Sequence, residues 1–169
     1  MDTWSDLKML RSSNPSSLIF GFLNINSILN KFSGLSDIFY DELVDCFSVI
    51  ETKIDDSFPD AQFTLKGFTS HRQDSSNTSG GIMTLIRNDI SQSRCTELEI
   101  NNTALQCLCI EVIIKKEKWI FNTIYKLPST PLEGFFDSLN YITDRMLAIS
   151  SAIFSVPHAR LAHISFSQR

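Results

Sequence analysis

Two short apolar runs separated by a helical stripe limit what this chain can fold into more than any other feature. Leu18-Ile19-Phe20-Gly21-Phe22-Leu23 stops at Asn24, and Cys46-Phe47-Ser48-Val49-Ile50 stops at Glu51. Runs of this length have the size of buried strands. Between them Ile28, Phe32, Leu35, Phe39 and Leu43 recur three or four residues apart. That spacing lines up one face of an amphipathic helix, with Ser27 in the N-cap position. Strand, helix, strand in that order calls for a parallel pair joined by a right-handed crossover. An α/β fold follows.

Downstream, Asp55 to Pro59 is turn-rich and Gln62 to Leu65 reads as a short strand. Residues 70–81 form a polar loop ending in Gly80-Gly81, after which Ile82 to Ile86 returns to strand. Leu108, Ile110, Val112 and Ile114 alternate with Cys107, Cys109, Glu111 and Ile113, the period of a sheet strand. Lys115-Lys116-Glu117-Lys118 makes a charged turn, and Trp119 to Tyr125 is the antiparallel partner. Thr130-Pro131-Leu132-Glu133 has the form of a capping box, opening a helix whose stripe is Leu132, Phe135, Leu139, Ile142, Met146 and Ile149. The order of elements predicts one mixed sheet with flanking helices over residues 17–149. A loosely ordered polar leader, 1–16, precedes it, and a tail of different character, 150–169, follows.

Composition narrows the function classes. The net charge of −4 gives no global positive field that would coat nucleic acid. A nuclease stays open, because its metal site needs carboxylates and its basic contacts can be local. No apolar run reaches the roughly 18–20 residues that span a bilayer. Met1 to Ser17 lacks the basic-then-apolar order of a signal peptide. The four cysteines, Cys46, Cys95, Cys107 and Cys109, have no paired metal-ligand spacing and read as buried free thiols. An intracellular protein, nuclear or cytoplasmic and not secreted, is the expectation.

Chemistry in an α/β fold gathers at the carboxyl ends of strands. Asn24 and Glu51 close two adjacent parallel strands and so come to one sheet edge. A carboxylate there can hold a hard cation such as Mg²⁺, with the amide orienting a phosphate. Position alone favours polar residues that merely face solvent. Tyr125 closes a third strand and can offer its hydroxyl to a phosphate, or simply pack.

In series these residues carry more. Asn24-Ile25-Asn26-Ser27, Glu51-Thr52-Lys53, Gly80-Gly81 with Ile86-Arg87, and Ile124-Tyr125-Lys126-Leu127-Pro128-Ser129 come in one order. That order resembles the endonuclease domain of non-LTR retrotransposons, a branch of the endonuclease/exonuclease/phosphatase superfamily. The stretch I-E-T-K-I-D-D-S-F-P, Ile50 to Pro59, is especially similar. The resemblance covers about residues 18–149. It implies a four-layer, DNase I-like α/β sandwich, present here in part, and Mg²⁺-dependent cleavage of DNA phosphodiesters. It implies Glu51 as a metal ligand, Asn24 as an organiser of the phosphate and metal site, and Tyr125 as a hydrogen-bond donor to the scissile phosphate. Arg72 and Asp74 fall in the family's loop before the glycines, where a surface ion pair worth under about 1 kcal/mol is expected.

Two departures stand out. Lys126-Leu127 replaces an Arg-Pro pair, and Ser79 replaces one glycine of a triple. More seriously, the family's G-D-F-N motif has no counterpart in Ile153 to Arg160, and its closing S-D-H motif is absent from these residues. Nothing in the sequence places His158 or His163 near Glu51. The expectation is therefore a nuclease-type domain that is inactive alone, with DNA as partner if active and no membrane association. An exposed sheet face that attracts chaperones or another partner is also expected.

Overall fold

The strand–helix–strand opening is present in the computed structural model, which describes residues 3–76, 78–153 and 160–161. The chain divides into two compact units, residues 1–88 and 89–169. In the first, β1 (Phe20–Asn24) pairs parallel with β2 (Cys46–Ile50), with Asn24 opposite Ile50 at the end of the ladder. Helix α2 (Phe32–Tyr40) connects them. Strand β4 (Ile82–Arg87) runs antiparallel to β2, and β3 (Phe68–Gln73) antiparallel to β4, giving the order β1-β2-β4-β3.

The stripe predicted for α2 does bury: Ile28, Leu35 and Phe39 pack with Val49, Met83 and Leu85. Phe39 sits edge-on to Phe47 at 5.5 Å and to Phe68 at 4.7 Å between ring centroids. The helix nevertheless starts a turn later than expected. Ser27 is not its cap; it sits at φ +76°, and Lys31 takes the N-cap position without a side-chain cap bond. The expected strand at Gln62–Leu65 is instead a 3₁₀ turn, Asp60–Phe63. The polar loop is shorter than predicted, because β3 takes in Ser70 to Gln73.

The leader is also corrected. Thr3–Ser13 forms α1, with Asp6 in its first turn and Arg11 in its last, each favourable to the helix dipole. Its anchor is Arg11, which donates to Leu43 O (3.3 Å), Ser17 O (3.0 Å) and Asp45 Oδ2 (2.6 Å). Asp45 is 1% exposed and also accepts from Arg87 Nη1 (2.7 Å) and the Ile19 N–H (2.7 Å). One buried carboxylate therefore joins α1, the entry to β1 and the end of β4.

In the second unit β7 (Leu105–Ile114) and β8 (Glu117–Lys126) form the long hairpin that the alternation predicts. Lys115 and Lys116 both adopt positive φ, +51° and +70°, the conformation a two-residue hairpin turn requires. Edge strand β5 (Ser91–Arg94) and the short β6 (Ile100–Asn101) pair with β7, and β9 (Arg160–Leu161) pairs parallel with β8. Helix α3 (Leu132–Ile153) lays Phe135, Ile142 and Met146 on Leu105, Cys107 and Cys109. Thr130 does not cap it. Its hydroxyl donates to Thr103 O (3.1 Å) and Ala104 O (2.9 Å), and the helix begins at Leu132. Helical structure runs past Ser150, and the rest of the predicted tail, apart from Arg160–Leu161, lies outside the described residues.

Two sheets, not one, are thus built, because the β7–β8 hairpin forms its own ladder with β5 and β6. Ile82 and Ile86 are buried on one face of β4, and Met83 and Leu85 on the other. Exposed apolar side chains include Phe22 and Leu23 on the edge strand β1 and Leu132, Phe136, Tyr141 and Leu147 on α3. Among the described residues no helix is long and apolar enough to cross a membrane.

Removing the Asp45 carboxylate leaves two guanidiniums and the Ile19 N–H without their shared acceptor. Asp45→Ala is expected to cost about 3 kcal/mol, the low end for a broken buried ion pair because both arginines can partly rehydrate. Denaturant titration should show this, and a loss below about 1 kcal/mol would contradict the role given to this carboxylate.

Candidate functional site

Glu51 leaves β2 in an unusual backbone state. Its φ is +57° and that of Lys53 is +54°, while Asn26 and Ser27, just past β1, sit at +44° and +76°. Non-glycine residues avoid this region because Cβ crowds the following carbonyl. Here backbone hydrogen bonds hold the two loops in it. The Ser27 N–H donates to Glu51 O (2.8 Å) and the Ile28 N–H to Thr52 O (3.0 Å). On the other side, the Thr52 N–H donates to Gly81 O (3.3 Å) and the Lys53 N–H to Gly80 O (3.0 Å). The segment 51–53 is thereby laced between the loop after β1 and the glycine pair before β4.

Gly81 is needed at that seam for two reasons. Its φ is +88°, and a Cβ on it would lie 2.1 Å from Thr52 Oγ1. Thr52 is fully buried, and its hydroxyl has no hydrogen-bond partner among the described residues. It therefore acts as packing between the glycine and the segment that presents Glu51.

The polar groups at this edge form a chain. Asn24 is exposed, and its Oδ1 accepts from the Asn26 N–H at 3.1 Å. Asn26 Oδ1 accepts from the Lys53 ammonium, which lies 4.0 Å from Glu51 Oε2. Lys31 Nζ donates to Ile25 O (2.6 Å) and Asn26 O (2.8 Å), fastening the same loop. Asn24 and Glu51 are thus brought together as expected. The structural roles of Lys53, Asn26 and Lys31 were not legible, because they depend on two positive-φ loops meeting.

Tyr125 lies in the second unit, one residue before the end of β8 and opposite Gln106. It is buried, on the sheet face opposite α3. Arg72 and Asp74 differ from the expected surface pair. The Arg72 side chain is only 8% exposed and grips both Asp74 oxygens, Nε at 3.1 Å from Oδ1. It also reaches Asp60 (2.7 Å) and Phe58 O (3.0 Å), with its guanidinium 5.1 Å from the Phe63 ring centre. This arginine folds the segment 55–63 onto β3. Within that segment the Ser57 hydroxyl and N–H hold the Asp55 carboxyl below its ordinary pKa.

Fit to a divalent cation is limited. Among the described residues no group of three or more His, Cys, Asp or Glu side chains could hold a metal ion. Glu51 is a half-exposed carboxylate with an ammonium nearby, and Mg²⁺ gives up its water reluctantly for so few ligands.

Gly81→Ala should cost about 2–3 kcal/mol, combining a left-handed alanine with displacement of Thr52. Gly67 has a similar φ of +85° but open space at its Cβ position. Gly67→Ala should therefore cost only about 1 kcal/mol. Equal losses in thermal or denaturant unfolding would show that the Thr52 contact is immaterial.

No family model and no curated protein sequence matches the chain. Among solved structures it is similar to the endonuclease domain of TRAS1, a telomere-specific non-LTR retrotransposon, with a TM-score of 0.55 at 11% identity. That match covers 74% of this chain and 52% of the other. It is also similar to the catalytic domain of Xenopus laevis APE2, with a TM-score of 0.52 at 16% identity over 76% of this chain and 54% of the other. The chain therefore spans about half the length of each. At such identities the shared property is the fold. The chain shares the DNase I-like α/β fold of these two structures, with two sheets and flanking helices.

Proposed function

We infer that these residues are part of a DNA endonuclease domain of non-LTR retrotransposon type, carrying the phosphate-facing portion of its site and inactive by themselves. The observation that supports this most is the strand-end pair. Asn24 and Glu51 close adjacent parallel strands, and the segment bearing Glu51 is held in a strained conformation by bonds to both neighbouring loops. Strain kept in place by its surroundings is characteristic of functional loops. The fold shared with the TRAS1 endonuclease domain and the APE2 catalytic domain adds to it.

In this reading Glu51 is a carboxylate toward Mg²⁺, an ion that when bound neutralises phosphate charge and activates water. Asn24 orients the phosphate through its amide, and the family resemblance assigns Tyr125 a hydrogen bond to a scissile phosphate. Since the described residues do not complete a magnesium site, no chemical step is assigned to the ion. Residues that act as a unit lose activity together when part of the set is missing.

Two measurements test the reading. Supercoiled plasmid incubated with the 169-residue protein and Mg²⁺ should show no nicking above a Glu51→Ala control. Nicking that depends on Glu51 would overturn the inactivity. Millimolar Mn²⁺ should broaden the amide resonances of Ile50 to Lys53 in the wild type and not in Glu51→Ala. No selective broadening would remove Glu51 as a cation ligand.

A non-catalytic interaction module is the second reading, favoured by exposed Phe22 and Leu23 on edge strand β1. Uncapped apolar edges recruit other strands. A stoichiometric partner lost on Phe22→Lys, in a protein without nuclease activity, would favour it.

A further inference from the structure

The second unit holds a pair of thiols that the nuclease reading does not use. The antiparallel register of β5 on β7 places Arg94 opposite Ile110, and the next step along it sets Cys95 opposite Cys109. The Cys95 N–H donates to Cys109 O at 2.9 Å, while the Cys109 N–H donates to Glu99 Oε1 at 3.3 Å, so one backbone bond joins the two residues just past the end of the ladder. Residues facing each other on antiparallel strands have Cα atoms about 4.5–5.5 Å apart, inside the roughly 4.4–6.8 Å that a disulfide spans. Both side chains belong to one buried cluster with Leu98 and Cys107.

We propose that Cys95 and Cys109 form a dithiol modification site that a hydroperoxide closes to an intramolecular disulfide. Cys95 is the attacking thiol and Cys109 the resolving one. The Cys95 sulfur attacks the peroxide, breaking the O–O bond to give Cys95 sulfenic acid and releasing an alcohol, or water from hydrogen peroxide. The Cys109 sulfur then attacks the sulfenic sulfur, forming the S–S bond and releasing water. Two thiols lose two electrons in total, and the hydroperoxide takes them up.

The two cysteines differ in the way these roles need. Cys95 is 8% exposed, whereas Cys109 is fully buried. The neighbouring Cys109 thiol lowers the Cys95 pKa, ahead of an opposing burial effect, while the Cys95 thiol and burial raise that of Cys109. Thiolate character and access both favour Cys95. Cys107 lies on the same sheet face but is fully buried, and burial pushes its thiol up to about 12. Cys46 in the first unit is pushed up to about 12 as well, chiefly by burial. A bridge would close a loop containing the 3₁₀ turn Thr96–Leu98 and β6.

The test treats the folded chain with hydrogen peroxide, blocks remaining thiols, and maps the products by peptide mass spectrometry. The expected result is a fall from four alkylatable thiols to two, with Cys95 and Cys109 in one linked peptide. In Cys109→Ser, a sulfenic acid trapped by a dimedone probe should accumulate at Cys95; Cys107→Ser should behave as wild type. Circular dichroism confirms that each variant is folded, and the wild-type map needs no variant. The proposal is overturned if all four thiols survive conditions that oxidise free cysteine, or if the bridge forms through Cys107 or Cys46. Neither outcome bears on Glu51, so the nuclease reading stands or falls separately.

Discussion

The three residues Glu51 to Lys53 are bound on both sides by backbone hydrogen bonds, and much of the first unit is arranged around that fact. Two of the three, and two residues in the loop they touch, hold left-handed backbones without being glycine. Each such residue costs about 1–2 kcal/mol. Four cross-loop hydrogen bonds, each worth about 0.5–1.5 kcal/mol net, offset a large part of that. The rest comes from packing that leaves the segment no alternative: Thr52 fills the space that Gly81 leaves open. A flexible strand end would let Glu51 point anywhere. This one presents a carboxylate, an amide chain and an ammonium in a fixed relation.

The base on which this seam rests is held by Asp45. It precedes β2 and binds the N–H before β1 and the arginine at the end of β4. Its bond to Arg11 brings in α1, a helix of weak amphipathicity whose Leu7 packs at the margin of the core. Burial of a single carboxylate among two guanidiniums is costly unless all are satisfied, so the group acts jointly or not at all. The strand-start end and the strand-finish end of the sheet thus use opposite devices, a buried ion network at one and strained loops at the other.

Much of the architecture was legible. Apolar runs marked β2 and β4 and alternation marked the β7–β8 hairpin, because burial on one or two faces leaves those patterns. The run of β1 also marked a strand, but an edge strand with Phe20, Phe22 and Leu23 exposed and not the buried one expected. The parallel pairing of β1 and β2 followed from the intervening helix. Strand β5 was not legible: Ser91-Gln92-Ser93-Arg94 is a polar edge strand, with no apolar face to announce it. The leader helix was missed because its stability comes from Arg11 contacts more than thirty residues away in sequence. Arg72 looked like a surface residue for the same reason, since its partners Asp60 and Phe58 are brought to it by a 3₁₀ turn that periodicity cannot reveal.

By itself the sequence determined which segments are apolar, where they stop, and hence that Asn24 and Glu51 share one edge of a parallel pair. Those facts depend on side-chain transfer energies and chain order, which are local. Only the tertiary structure decided that there are two sheets, that Lys53 and Asn26 stand beside Glu51, and that Cys95 touches Cys109. Partner choice between strands and the left-handed turns of non-glycine residues are set by competition among distant contacts. No short window of residues contains the terms of that competition, and so no pattern within one could have shown its result.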